Sequence, residues 1–187
     1  MNHTTGSDDV VVLDRDGTIV VDRRYLADPA GLEFEPGAAE GLKWLFGHGY
    51  RLVVITNQSG VGRGIFPLAR IHAMNLRLNA MVEEIGAELA GIYYCPHAPN
   101  AGCTCRKPAL GLMRRAASEL GFDPGSSVVI GDKESDIEFG SRAGAMTILI
   151  SVNAESSTSR IRPDLVVPNL MEAAKAITSG CVNSSTR

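Results

Sequence analysis

Five short apolar runs, each broken off by turn residues, constrain this chain more than any other feature. They are VVVL before Asp14, RLVVI before Thr56, GIYY before Cys95, SVVI before Gly131 and MTILI before Ser151. Runs that do not alternate with polar residues suit strands buried on both faces. Helical spacing fills the gaps, roughly over Ala38 to Gly47, Pro67 to Leu89, Leu110 to Leu120 and Glu134 to Ala143, with a last helix near Leu170 to Ile177. Strands alternating with helices predict an α/β fold, a single Rossmann-like parallel sheet flanked by helices. At 187 residues the chain can build one such core but not two. The domain is expected over residues 10–178, with flexible tails at 1–9 and 179–187.

The formal net charge is -3, and no Lys or Arg run is dense enough to track a phosphate backbone. Nucleic acid and membrane are therefore not expected as partners; a small molecule is, with the protein monomeric. MNHTTGSDD at the start lacks the features of a secretory signal, and no apolar run could span a bilayer, so a cytoplasmic protein is expected.

In open parallel sheets, ligands bind beyond the carboxyl ends of the strands. Chemistry-bearing residues of this chain follow the apolar runs: Asp14 and Asp16 the first, Thr56 to Ser59 the second, Asp132 the fourth. Asp14 and Asp16 are one residue apart, so an extended backbone points both carboxylates the same way, and Gly17 lets the chain turn beside them. With the carboxylate of GDKESD they offer the few oxygens that Mg²⁺ takes, Asp132 being the expected ligand and Asp136, one helical turn on, its support. An EF-hand is excluded, because the segment before Asp14 reads as a strand and the twelfth loop position is Tyr25 instead of Glu. TNQSG offers hydroxyl, amide and N–H donors for phosphate oxygens, or it is a simple polar turn. GVGRG lacks the dinucleotide spacing, and no G-K-S/T is present for a nucleotide phosphate loop. In RKP, Lys107 can neutralise a phosphoryl group in transfer, while Arg106 can grip a second anionic or hydroxylated part of a substrate.

Cys95, His97, Cys103 and Cys105 lie in CPHAPNAGCTC, a C-x-H and C-x-C pair closed by a loop of five residues. Three thiolates and an imidazole suit a closed, structural Zn²⁺ site, expected here over free thiols or an oxidised pair. Zinc would order loop 95–105 and set Arg106 and Lys107 at the mouth of the site.

LDRDGT, Thr56, Lys107 and GDKESD, in this order and each at a strand end, resemble the four motifs of the haloacid dehalogenase superfamily of phosphatases. Adding TNQSGVGRG, CPH and CTCRKP, the chain is similar over roughly residues 10 to 150 to the group of D-glycero-D-manno-heptose 1,7-bisphosphate 7-phosphatases and histidinol-phosphatases. The resemblance implies a Mg²⁺-dependent phosphomonoesterase that removes the 7-phosphate of a heptose 1,7-bisphosphate in nucleotide-activated heptose synthesis, or acts on histidinol phosphate or another small phosphomonoester; an inert zinc-stabilised binding module is the reading from a different class. It makes Asp14 the nucleophile and Asp16 the acid and then the base. Mg²⁺ falls to the Asp14 carboxylate, the Asp16 main-chain carbonyl and Asp132, and the phosphoryl group to Thr56 and Lys107. Asp22, Arg23, Arg24, Tyr25, Asn57, Gln58, Ser59, Arg106 and Lys133 fall near positions that meet the rest of the substrate. The group is similar also in carrying a short zinc loop where larger relatives have a cap domain, and no interval here has spare length for a cap.

The remaining features invite plainer readings. His48 and His72 lack partners at ligand spacing, and His3 and Cys181 belong to the tails. Trp44 and the methionines of the long helix are expected in the core. Arg63 is open between a rim contact and solubility.

Overall fold

The computed structural model describes residues 9–152 and 161–180. Most of both expected tails, with His3 and Cys181, lies outside the described residues. Strands β1 (Val10–Leu13), β2 (Arg51–Asn57), β3 (Leu89–Cys95), β4 (Val128–Gly131), β5 (Met146–Ile150) and β6 (Leu165–Val167) form one sheet in the order β3-β2-β1-β4-β5-β6. Every neighbouring pair is parallel. Helices α1 (Ala38–Gly47), α2 (Leu68–Glu84), α3 (Gly111–Leu120), α4 (Glu134–Ala143) and α5 (Leu170–Thr178) connect and cover the strands.

Unbroken apolar strands are explained by two separate cores. Val11 and Leu13 face the layer under α1, α2 and α5, packed with Leu42, Leu45, Met74, Leu78 and Leu170. Val10 and Val12 face the opposite layer, against Leu112, Met113 and Phe139 of α3 and α4. Because side chains alternate along a strand, a strand clad on both faces must be apolar at every position.

The structure differs from the sequence reading at three points. The second helix stops at Glu84 instead of running to Leu89, because Gly86 turns the chain at φ +79 and Leu89 opens β3. Strand β6 was not expected: it is three residues long, and its place is fixed by Asp164, whose carboxylate accepts from Thr147 N and Oγ1, each at 2.8 Å. Trp44 is not core but 39% exposed. The inward stripe of α1 is Ala38, Gly41, Leu42 and Leu45, leaving Trp44 to stack on His48 with centroids 4.7 Å apart and to donate to Thr178 Oγ1 at 3.0 Å. Met74 and Met81 are buried as expected. Among the described residues no helix is long and apolar enough to cross a membrane.

Candidate active site

Strand β1 ends at Asp14, whose N–H donates to Ile130 O of β4 at 3.0 Å. The chain then turns tightly, with Ile19 and Val20 N–H both donating to Arg15 O. Gly17 is required twice over: its φ is +88, and a Cβ there would lie 2.3 Å from an Asp132 carboxylate oxygen. The turn therefore sits directly on the end of β4.

Lys107 is the charge at the centre. Its ammonium is buried, 2.7 Å from Asp14 Oδ1, 2.6 Å from Asp136 Oδ1 and 2.6 Å from Ile55 O. Burial would lower the Lys107 pKa, but Asp136 and Asp14 more than offset it and the net shift is upward. Burial likewise pushes Asp14 up; the charge and hydrogen bond of Lys107, with help from Lys133, reverse this and hold Asp14 below the usual carboxylate range. Asp132 is pushed up to about 6 by burial, and then by the like charges of Asp14 and Asp136.

A cavity of about 470 Å³ opens above this charge cluster, lined among others by Asp14, Asp16, Asp22 to Tyr25, Thr56 to Ser59, Arg106, Lys107 and Lys133. The structure thus brings together every residue expected for phosphoryl transfer or substrate contact, and Asp132 lies beneath Gly17. Several of these side chains are already engaged with protein. Asn57 grips the Lys107 main chain, accepting from its N at 3.0 Å and donating to its O at 3.2 Å. Gln58 donates to Asp16 Oδ2 at 2.6 Å and to Thr56 Oγ1 at 3.1 Å. Arg23 pairs with Glu33 on the rim, and Arg63, left open by the sequence, lies 6.0 Å over the Tyr25 ring. Arg106 Nη1 is buried without a hydrogen-bond partner among the described residues.

Two donor sets suit metals. The carboxylate oxygens of Asp14, Asp132 and Asp136 lie within 4.8 Å of one another. Asp136 has both oxygens in use, Oδ1 on Lys107 and Oδ2 accepting from Lys133 N at 3.2 Å, so it supports the cluster from behind. Lys133 Nζ stands in front, 3.1 Å from Asp16 O and 3.3 Å from Asp132 Oδ2. Oxygens that gather an ammonium in this way also fit a hard cation held by Asp14, the Asp16 carbonyl and Asp132.

At the other set, Cys95 Sγ is 3.7 Å from Cys103 Sγ, 3.3 Å from Cys105 Sγ and 3.6 Å from His97 Nδ1, which lies 3.2 Å from Cys105 Sγ. A tetrahedral Zn²⁺ with bonds of about 2.0–2.3 Å spaces its ligands by about 3.5–3.8 Å; the two distances from Cys95 to Cys103 and His97 match this, and the two to Cys105 are shorter by a few tenths of an ångström, so the four donors cluster as such a site requires. The three thiols diverge: burial raises the Cys103 pKa, yet the Cys105 thiol and the N–H groups of Arg106 and Cys105 bring it down to about 7, whereas burial pushes Cys95 up to about 12 and raises Cys105.

Sequence reasoning missed how the loop joins the site. Gln58 N donates to Cys95 O and Gly62 N to Pro96 O, each at 2.8 Å, and a Cβ on Gly62 would meet Ala98 N at 2.2 Å. It also missed Arg15, which lies inside LDRDGT, and its neighbour Asn75 on α2. Nothing in the spacing of α2 marks Asn75 as facing the site.

Residues 104–173 match the family model described as HAD-hydrolase-like. A D-glycero-beta-D-manno-heptose-1,7-bisphosphate 7-phosphatase from Haemophilus ducreyi is 35% identical over 171 residues, covering 87% of this chain and 94% of the relative. The enzyme of that name from Pseudomonas putida is 37% identical over 150 residues, covering 80% and 86%. Among solved structures, a D,D-heptose 1,7-bisphosphate phosphatase from B. bronchiseptica, complexed with magnesium and phosphate, superposes with a TM-score of 0.81 at 26% identity, over 91% of this chain and 98% of that one.

Proposed function

Because this chain belongs to the haloacid dehalogenase-like phosphatases and is a phosphoric monoester hydrolase, we propose that it removes the 7-phosphate of D-glycero-D-manno-heptose 1,7-bisphosphate with Mg²⁺ as cofactor. The β anomer is favoured by the names of the two curated relatives. The reading places the protein in nucleotide-activated heptose synthesis, in the cytoplasm, where thiolates of loop 95–105 stay reduced and free to hold Zn²⁺.

One observation carries it: the buried Lys107 ammonium is hydrogen-bonded to Asp14 at the open end of β1. A carboxylate attacks an anionic phosphate only where the repulsion is cancelled. Lys107 supplies one fixed positive charge for that, and Mg²⁺, when held by Asp14, the Asp16 carbonyl and Asp132, supplies the rest. An Asp14 carboxylate oxygen forms a bond to phosphorus as the bond from phosphorus to the sugar oxygen breaks, and Asp16 gives that oxygen its proton. Water then attacks the aspartyl phosphate, Asp16 takes back a proton, and the phosphorus–Asp14 bond breaks to release inorganic phosphate. Thr56 and Lys107 face the phosphoryl group. Asp22 to Tyr25, Asn57 to Ser59, Arg106 and Lys133 form the walls that meet the rest of the substrate.

The test compares kcat/KM for both heptose 1,7-bisphosphate anomers and for histidinol phosphate with Mg²⁺ present. A preference of several hundredfold for the β-heptose, worth about 3–4 kcal/mol of differential transition-state binding, is expected. Preference for histidinol phosphate overturns the substrate, and silence on all three overturns the catalytic reading in favour of an inert binding module.

A further inference from the structure

Between the two aspartates of the β1 turn stands a residue that the reaction described above does not use. Arg15 is 2% exposed, and a buried guanidinium is costly unless its donors find acceptors. Here it folds back on Asp16: Nε donates to Oδ1 at 3.1 Å and Nη2 to Oδ2 at 3.0 Å, while Nη1 reaches Asn75 Oδ1 of α2 at 3.4 Å. Gln58 Nε2 adds a third donor to the carboxylate at 2.6 Å, and the same nitrogen holds Thr56 Oγ1.

A carboxylate on a short side chain can rotate, and one hydrogen bond fixes only one of its oxygens. A two-point fork fixes its plane, and arginine alone among the side chains offers such a fork in a rigid frame. Proton transfer falls off steeply once donor and acceptor leave hydrogen-bond reach. We propose that Arg15, braced by Asn75 and assisted by Gln58, is the positioning residue that aims the Asp16 carboxylate at the leaving oxygen. This inference rests on the phosphatase reading. It makes α2, whose inner face otherwise only packs, part of the acid–base device, and through Gln58 it ties the orientation of Asp16 to that of Thr56.

The test exploits leaving groups. The kcat/KM of such an enzyme reports only the steps up to release of the alcohol. A sugar alkoxide needs a proton to leave, whereas p-nitrophenolate does not. Arg15→Lys keeps the charge and loses the fork; Asn75→Ala keeps Arg15 and loses its brace. For Arg15→Lys we expect kcat/KM on the sugar bisphosphate to fall by about 10²-fold or more, as for loss of an aligned general acid. On p-nitrophenyl phosphate it stays within about threefold, with Mg²⁺ affinity by calorimetry unchanged. Asn75→Ala moves the same ratio in the same direction by less, and decides alone if Arg15→Lys fails to fold. Equal losses on the two substrates, or none, overturn the clamp while leaving the phosphatase reading intact. A wild-type protein that hydrolyses neither substrate overturns that reading, and the clamp with it.

Discussion

Lys107 and Asp136 are joined by a 2.6 Å ion pair with both side chains almost fully shielded from water. The same aspartate accepts from Lys133 N at the start of α4, so one carboxylate anchors a helix and fixes the cation that faces Asp14. Asp136→Asn keeps the shape and the acceptor for the helix but removes the charge. We expect a stability loss of about 1–3 kcal/mol in urea titration, since Lys107 retains Asp14. We also expect kcat to fall at least tenfold as Lys107 draws closer to the nucleophile; an unchanged kcat would remove Asp136 from the site.

Replacing the nucleophile gives a different pattern. Asp14→Asn is expected to lower turnover by about 10³-fold or more, with bound zinc, measured by mass spectrometry, still stoichiometric. Residual turnover near the wild-type rate would assign the attack to another group.

Zinc removal is expected to reach the active site through two backbone hydrogen bonds, from Gln58 N to Cys95 O and from Gly62 N to Pro96 O. After chelation, amide exchange at Gln58 and Gly62 should accelerate together with that of loop 95–105, and kcat/KM should drop at least tenfold. Exchange confined to the loop, with full activity, would separate the metal from catalysis.

Lys133 shares its oxygens with the proposed cation, contacting Asp16 O and Asp132. Its removal in Lys133→Met should tighten Mg²⁺ binding by about three- to tenfold in calorimetry, the worth of roughly 1 kcal/mol of displaced ion pairing, and raise the KM for substrate. A Mg²⁺ affinity equal to wild type would mean that the two cations do not compete.

The apolar runs made the first five strands legible, because burial on both faces leaves no choice of residue. β6 escaped because three residues carry no periodicity and its position is set by Asp164 reaching Thr147, a contact 17 residues long. Residues that act at strand ends were legible for a similar reason: the topology puts Asp14, Thr56 and Asp132 on one rim wherever the helices lie, whereas Lys107 is not at a strand end as expected but reaches the rim from the loop between β3 and α3. What the sequence could not carry was the division of labour inside that rim. Asn57 and Gln58 read as phosphate donors, yet their amides bind Lys107, Asp16 and Thr56, and only coordinates can say which hydrogen bonds a polar turn spends on itself. Trp44 was misjudged because one helical step separates the inward stripe of α1 from its exposed side.

The sheet order has a consequence for synthesis of the chain. β4 lies beside β1, though more than a hundred residues separate them. Until Val128 to Gly131 emerge from the ribosome, β1 has only β2 for a neighbour, and its other edge exposes a row of unpaired N–H and C=O groups flanked by valines. Such an edge invites other chains to pair with it. The strand that carries Asp14 is therefore the one that waits longest for its second neighbour, and the arrival of β4 closes that edge and brings Asp132 to the rim in one event.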